Sequence, residues 1–79
     1  MALLQSKSFK YVNKERNIIH EPVDAEYTKF TKDGRKFFQI DTFGTSKRKM
    51  RGKTSQSLQL DEEAAKMLAS KLNEVFGLK

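Results

Sequence analysis

The clearest alternation of apolar and polar residues lies in the middle of the chain. Residues 36–43 form a run rich in aromatic and β-branched residues, which Gly44 ends. Residues 54–60 place Leu58 and Leu60 on one face and polar residues on the other. A period of two is typical of a half-buried strand, so the pattern predicts two strands here, with the leucines towards a core.

A hairpin is predicted that joins a preceding strand to the first of these two runs. Residues 23–31 alternate as a strand should, and the dipeptide Asp33-Gly34 follows them. Asp-Gly suits the positive φ angles of a tight turn, so the two flanking strands should pair. In the strand after the turn, the alternation predicts that Phe38 and Ile40 point towards the core and that Phe37 and Phe43 lie on the more polar face.

The N-terminal residues carry weaker patterns. Residues 1–8 are expected to fray, residues 8–12 are a candidate first strand, and residues 18–20 are a candidate edge strand. Pro22 cannot donate a ladder hydrogen bond and limits strand structure there. We therefore interpret residues 1–22 as an N-terminal extension or edge strand.

Helical spacing is clear only at the C-terminal end, over residues 61–76. Asp61 is a natural N-cap, Glu62 and Glu63 suit the positive end of the helix dipole, and Gly77 is a suitable C′ residue. The apolar positions form one broad stripe: Ala64, Ala65, Leu68, Leu72, Val75 and Phe76. This stripe is wide enough to cover a small sheet and still leave apolar surface for a second copy.

The length predicts one domain, residues 1–79, with a sheet over 23–60, a basic loop over 46–53 and the helix over 61–76. A chain of 79 residues buries only about 60% of its unfolded surface and is marginal alone. It has no cysteine, so disulfides cannot stabilise it. We therefore predict a homodimer, and the candidate interface residues are Leu68, Leu72, Val75 and Phe76.

The net charge of +6 is concentrated in one block of the chain. Residues 27–53 hold nine basic and two acidic residues, which gives +7. Aromatic residues lie among these cations, as expected of a surface that binds a nucleic acid. The candidate nucleic-acid-binding residues are Thr28, Phe30, Lys32, Arg35, Phe37, Phe43, Lys47, Arg48, Lys49, Arg51 and Lys53.

Catalytic and metal-binding patterns are lacking in the sequence. A single histidine, His20, and no cysteine cannot supply the usual zinc ligand sets. Helix capping explains the acids at residues 61–63, and Asp41 is one carboxylate without a partner base. We expect no enzyme activity, no metal and no cofactor.

The sequence shows no leader pattern and no apolar run of membrane-spanning length, so we expect a cytoplasmic or nucleoid-associated protein and no membrane partner.

The order of elements over residues 27–72 resembles the single-stranded-DNA-binding domain of the transcriptional coactivator positive cofactor four, a family with small bacterial and bacteriophage members. The resemblance covers about residues 25–76 and implies an α+β fold: a curved antiparallel sheet of about four strands, one C-terminal helix, and a dimer formed through the helices. By position, it implies that Phe30 stacks on bases, that Arg35 is the turn cation, and that Arg51 and Lys53 belong to the basic loop.

The chain departs from the family pattern at two places. Phe43-Gly44 stands where the family has an aromatic pair, and Asp41 stands where the family has an arginine.

The resemblance implies single-stranded DNA as the partner, with melted duplex or RNA as alternatives. It also implies a role in replication, recombination or transcription, together with the proteins of those processes. Two other functions fit the residues: an RNA-binding regulator, and an adaptor whose basic loop docks an acidic protein.

Overall fold

A computed structural model describes residues 1–44 and 54–78. The described residues form an α+β fold, in which a four-stranded sheet that does not close into a barrel precedes one helix. The elements in chain order are β1 (Ala2–Leu4), a 3₁₀ helix (Ser6–Ser8), β2 (Ala25–Lys32), β3 (Arg35–Phe43), β4 (Thr54–Asp61) and α1 (Glu62–Phe76). The sheet order is β1-β4-β3-β2.

The central hairpin is confirmed, together with the turn that the sequence predicted for it. β2 and β3 pair antiparallel, with Lys32 opposite Arg35 next to the turn. Asp33 and Gly34 both have positive φ angles, 55° and 74°, as a tight hairpin turn of this kind requires. β4 then pairs antiparallel with β3, with a register shift between Thr42 and Phe43.

The first strand corrects the predicted antiparallel sheet, because it makes the sheet mixed. β1 pairs parallel with β4, so that Leu4 lies opposite Leu60. The predicted strands over residues 8–12 and 18–20 are wrong, since residues 9–24 contain no strand or helix. The position next to β4 is taken by β1, so residues 2–4, and not those later segments, supply the N-terminal strand of the sheet.

The helix begins and ends where its capping residues predicted. Asp61 has extended backbone angles, and its carboxylate accepts a hydrogen bond of 2.9 Å from the Ala64 amide. Gly77 adopts the left-handed conformation, and its amide donates to the Asn73 carbonyl at 2.8 Å. Both ends therefore satisfy backbone groups that a helix terminus leaves without partners.

The core is small and lies between α1 and the two strands β3 and β4 that the helix contacts. Among the described hydrophobic residues, only Leu60 and Ala64 are fully buried, at 5% and 0% exposure. Leu58 was predicted to be core but is 43% exposed, because it lies further from the start of the helix than Leu60 does. Within residues 1–44 and 54–78, no helix has the length and apolar character needed to cross a membrane.

Candidate nucleic-acid interface

The register of the strands separates two faces of the sheet. Phe38 and Ile40 lie opposite Leu60 and Leu58 and share one face with them. Leu60 on this face and Ala64 of α1 are both buried, so α1 packs here, and we call this face the helix side. The alternate residues form the other face, which we call the open face. Its members on the three longer strands are Glu26, Thr28, Phe30, Lys32, Arg35, Phe37, Gln39, Asp41, Ser57, Gln59 and Asp61.

A stack of two rings and one cation lies at one end of the open face. Phe30 and Phe37 are directly opposite on β2 and β3, and their rings stack with centroids 5.2 Å apart and planes inclined by 21°. The Arg35 guanidinium carbon lies 5.1 Å from the centroid of the Phe37 ring. Cross-strand aromatic pairs and cation–π contacts both stabilise such an arrangement. Three of the predicted binding residues are therefore in contact.

Arg35 also faces a carboxylate at the end of β4. Its guanidinium lies 3.8 Å from the carboxylate of Asp61, which is the N-cap of α1. The Arg35 side chain is 58% exposed, so solvent screens this ion pair and it contributes little to stability. The guanidinium therefore lies close to both the Phe37 ring and the Asp61 carboxylate, at the same end of the open face.

Next to the stack, four polar side chains form a hydrogen-bonded group that we call the amide–carboxylate cluster: Gln39, Asp41, Ser57 and Gln59. The Gln39 amide donates to both carboxylate oxygens of Asp41, at 2.9 and 3.1 Å. The Ser57 hydroxyl also donates to Asp41, and the Gln59 amide donates to the Gln39 carbonyl oxygen at 2.8 Å. The cluster joins β3 and β4 across the open face.

A shallow cavity of 260 Å³ lies beside this cluster, where the first residues of the chain approach β4. Its walls come from the N-terminus and from the cluster: Met1, Ala2, Leu3, Gln39, Ser57 and Gln59. Sequence reasoning did not predict the cluster or the cavity. The available signal was the pair of polar alternations, Gln39 with Asp41 and Ser57 with Gln59, on strands that turn out to be neighbours.

The other predicted binding residues are placed less closely together. Thr28 and Lys32 are exposed on the open face, opposite Gln39 and Arg35 respectively. Phe43 is six residues from Phe37 along β3, about 20 Å in an extended strand, so it does not join the ring stack. Phe43 follows the register shift and pairs with Thr54. The basic-loop residues, Lys47, Arg48, Lys49, Arg51 and Lys53, lie outside the described residues.

The four predicted interface residues follow a gradient of exposure along α1. Leu68 is half-buried, Leu72 is 39% exposed, and Val75 and Phe76 are 73% and 68% exposed. The first half of the helix therefore covers the sheet, and the second half presents apolar side chains outward. Among residues 1–44 and 54–78, no three or more histidine or acidic residues lie close enough together to hold a metal ion.

Comparison of the chain with family models, with curated proteins and with solved structures gives no match. The likeness to the positive cofactor four family therefore depends on the order of elements and on the residues at matching positions, and it remains a hypothesis about this chain.

Proposed function

We propose that this chain is a non-catalytic single-stranded-DNA-binding protein of the positive cofactor four type, which acts as a homodimer in DNA replication, recombination or transcription. The proposal places it in the cytoplasm or on the nucleoid. The stack of Phe30, Phe37 and Arg35 on the open face is the observation that carries the proposal.

Exposed rings on a sheet suit the bases of a single strand, because every base has an aromatic face that can stack. Phe30 is 36% exposed although it is stacked on Phe37, so part of the ring remains available to a ligand. Bases inside a duplex are already stacked on one another and cannot take up this position. The ring stack therefore favours single strands over duplex DNA.

Cations close to the stack supply the complementary phosphate contacts. Lys32 and Arg35 are opposite one another beside the hairpin turn, and both are exposed. The sequence adds five further cations in the loop that joins β3 to β4, within the block of residues 27–53 that carries +7. Contacts of this kind bind the backbone of any sequence and weaken with salt.

The proposed homodimer is supported by the exposed apolar surface on the helix side. Two fully buried hydrophobic side chains among the described residues are few for a stable domain. The outward residues Leu72, Val75 and Phe76 form a contiguous end of α1, which a second copy of the same helix could cover. A dimer of this type leaves the open face of each sheet accessible.

A competition experiment tests the proposal. A fluorescent single-stranded oligonucleotide bound to the protein would be displaced by unlabelled single-stranded DNA, duplex DNA or RNA of the same sequence at one fixed salt concentration. We expect single-stranded DNA to compete much better than duplex. Equal competition by RNA would favour the RNA-binding regulator, and failure of every nucleic acid to bind would favour the adaptor and reject the proposal.

A further inference from the structure

Asp41 places a negative charge on a face that we propose binds a polyanion. Its carboxylate is half-buried at the centre of the amide–carboxylate cluster, with hydrogen bonds from Gln39 and Ser57. A phosphate at this point would meet a like charge in a partly desolvated place, which is unfavourable. If a single strand crosses the open face, a base must lie over the cluster, and the backbone must follow the cations.

The hydrogen bonds inside the cluster leave more acceptor positions than donor positions without a partner among the described residues. A carboxylate has about four acceptor positions, and within the described residues Asp41 uses three of them, two for Gln39 and one for Ser57. The Gln39 carbonyl oxygen accepts one bond, from Gln59. The Gln59 carbonyl oxygen accepts none from the residues that the structure describes. A ligand that donates hydrogen bonds is therefore the best complement.

We infer that the amide–carboxylate cluster is a base-selective subsite, which prefers a base with an exocyclic amino group, such as cytosine, to thymine or uracil. This inference rests on the proposed function. An acidic side chain that accepts a hydrogen bond from the cytosine amino group is an established mode of base recognition. Thymine and uracil present a carbonyl oxygen at the same ring position, and that oxygen would face the Asp41 carboxylate.

The cluster and the ring stack lie on the same face, so two bases of one strand that are not direct neighbours could occupy them. Phe37, Gln39 and Asp41 are successive residues on the open face, and Phe37 and Asp41 are about 13 Å apart along an extended strand. The adjoining cavity of 260 Å³ is smaller than the range of about 300–1,000 Å³ typical of pockets for drug-sized ligands. The cavity therefore suits a single base and not several nucleotides of the bound strand.

The test compares homopolymers of deoxycytidine, deoxythymidine and deoxyuridine of equal length, at neutral pH and one salt concentration. Deoxyuridine separates the effect of the amino group from that of the thymine methyl group. We expect the wild-type protein to bind oligodeoxycytidine about tenfold more tightly than the other two. Asp41→Asn should abolish this preference, because an amide that keeps the shape of the side chain no longer offers two acceptors.

Asp33→Asn is the matched control. It removes one negative charge from the hairpin turn, where asparagine tolerates the positive φ angle, and leaves the cluster intact. It should keep the tenfold preference. Equal binding of the three homopolymers by the wild-type protein would reject the inference and leave the proposed function standing. A preference that survives in Asp41→Asn would also reject it. Absence of binding to every oligonucleotide would reject both.

Discussion

Phe30 and Phe37 face each other across β2 and β3, with ring centroids 5.2 Å apart. Tyr27 and Phe38 form a second stacked pair on the same two strands, 5.5 Å apart, on the opposite face of the sheet. The two pairs are similar in geometry, and only the first lies on the open face. Variants of the second pair can therefore serve as a control, because they separate the contribution of a ring pair to folding stability from its contribution to DNA binding.

Replacing Phe30 with alanine should weaken binding to single-stranded DNA by about 1–3 kcal/mol, the usual loss for one base–aromatic stack. The variant should also lose about 0.5–1.5 kcal/mol of folding stability, because the stacked partner of Phe37 is removed. Titration of a labelled oligonucleotide measures the first effect, and urea unfolding measures the second.

Tyr27→Ala is the control for that variant, because it removes the corresponding ring from the helix side of the sheet. It should reduce the free energy of unfolding by a similar amount and leave the affinity of the folded protein for DNA unchanged. Equal losses of affinity in the two variants would mean that the open face is not the binding face.

Asp61 allows the helix cap to be separated from the ion pair with Arg35. Asparagine is as good an N-cap as aspartate, so Asp61→Asn should keep most of the stability, whereas Asp61→Ala should lose about 0.5–2 kcal/mol. Both variants release Arg35 from its carboxylate partner. Both variants should therefore bind single-stranded DNA more tightly than the wild type. Titration of a labelled oligonucleotide at low salt measures this difference in affinity. Weaker binding by well-folded Asp61→Asn would show that the Asp61–Arg35 pair orients the cation for binding.

The proposed dimer predicts a specific effect of a charge at Leu72. Leu72→Glu should convert a dimer into a monomer or unfold the chain, because a carboxylate buried between two helices would lack a partner. Ser70→Glu adds the same charge at an exposed position on the same helix and should leave the dimer intact. Analytical ultracentrifugation measures both. A wild-type protein that sediments as a stable monomer of 9.1 kDa at micromolar concentration would contradict the proposal.

The basic loop should contribute to affinity without regard to base sequence. Replacing Arg51 and Lys53 together with alanine should make the slope of log affinity against log salt shallower by about 1.4, at about 0.7 for each phosphate contact on a single strand. The double variant Lys14→Ala/Arg16→Ala removes the same charges from an exposed N-terminal segment and should keep the slope. An unchanged slope in the loop variant would place the phosphate contacts elsewhere on the open face, with Lys32 and Arg35 as the next candidates.

Local signals in the sequence predicted the features that depend on near neighbours. The turn at Asp33-Gly34 and the caps at Asp61 and Gly77 each follow from the backbone preference of one or two residues, and all three are confirmed. β1 was missed because three residues are too short to show a period, and its partner β4 lies more than fifty positions away in the chain.

The amide–carboxylate cluster could not be predicted for a related reason. Each strand shows only that two polar residues share one face, and the hydrogen bonds from Gln39 and Ser57 to Asp41 depend on the register between β3 and β4. In the sequence, Asp41 is one carboxylate without a partner base, at a position where the positive cofactor four family has an arginine. Its hydrogen-bond partners follow only from the pairing of β3 with β4.

We propose that the open face, and not the helix side, binds single-stranded DNA. The most direct measurement is an NMR titration of the isotopically labelled protein with a short single-stranded oligonucleotide, followed through its backbone amide and aromatic ring signals. If the open face binds, the signals of Phe30, Phe37 and Gln39 should shift to saturation, while those of Tyr27 and Leu72 should stay in place. Shifts confined to the helix side, or no shifts at a saturating concentration of oligonucleotide, would contradict the proposal.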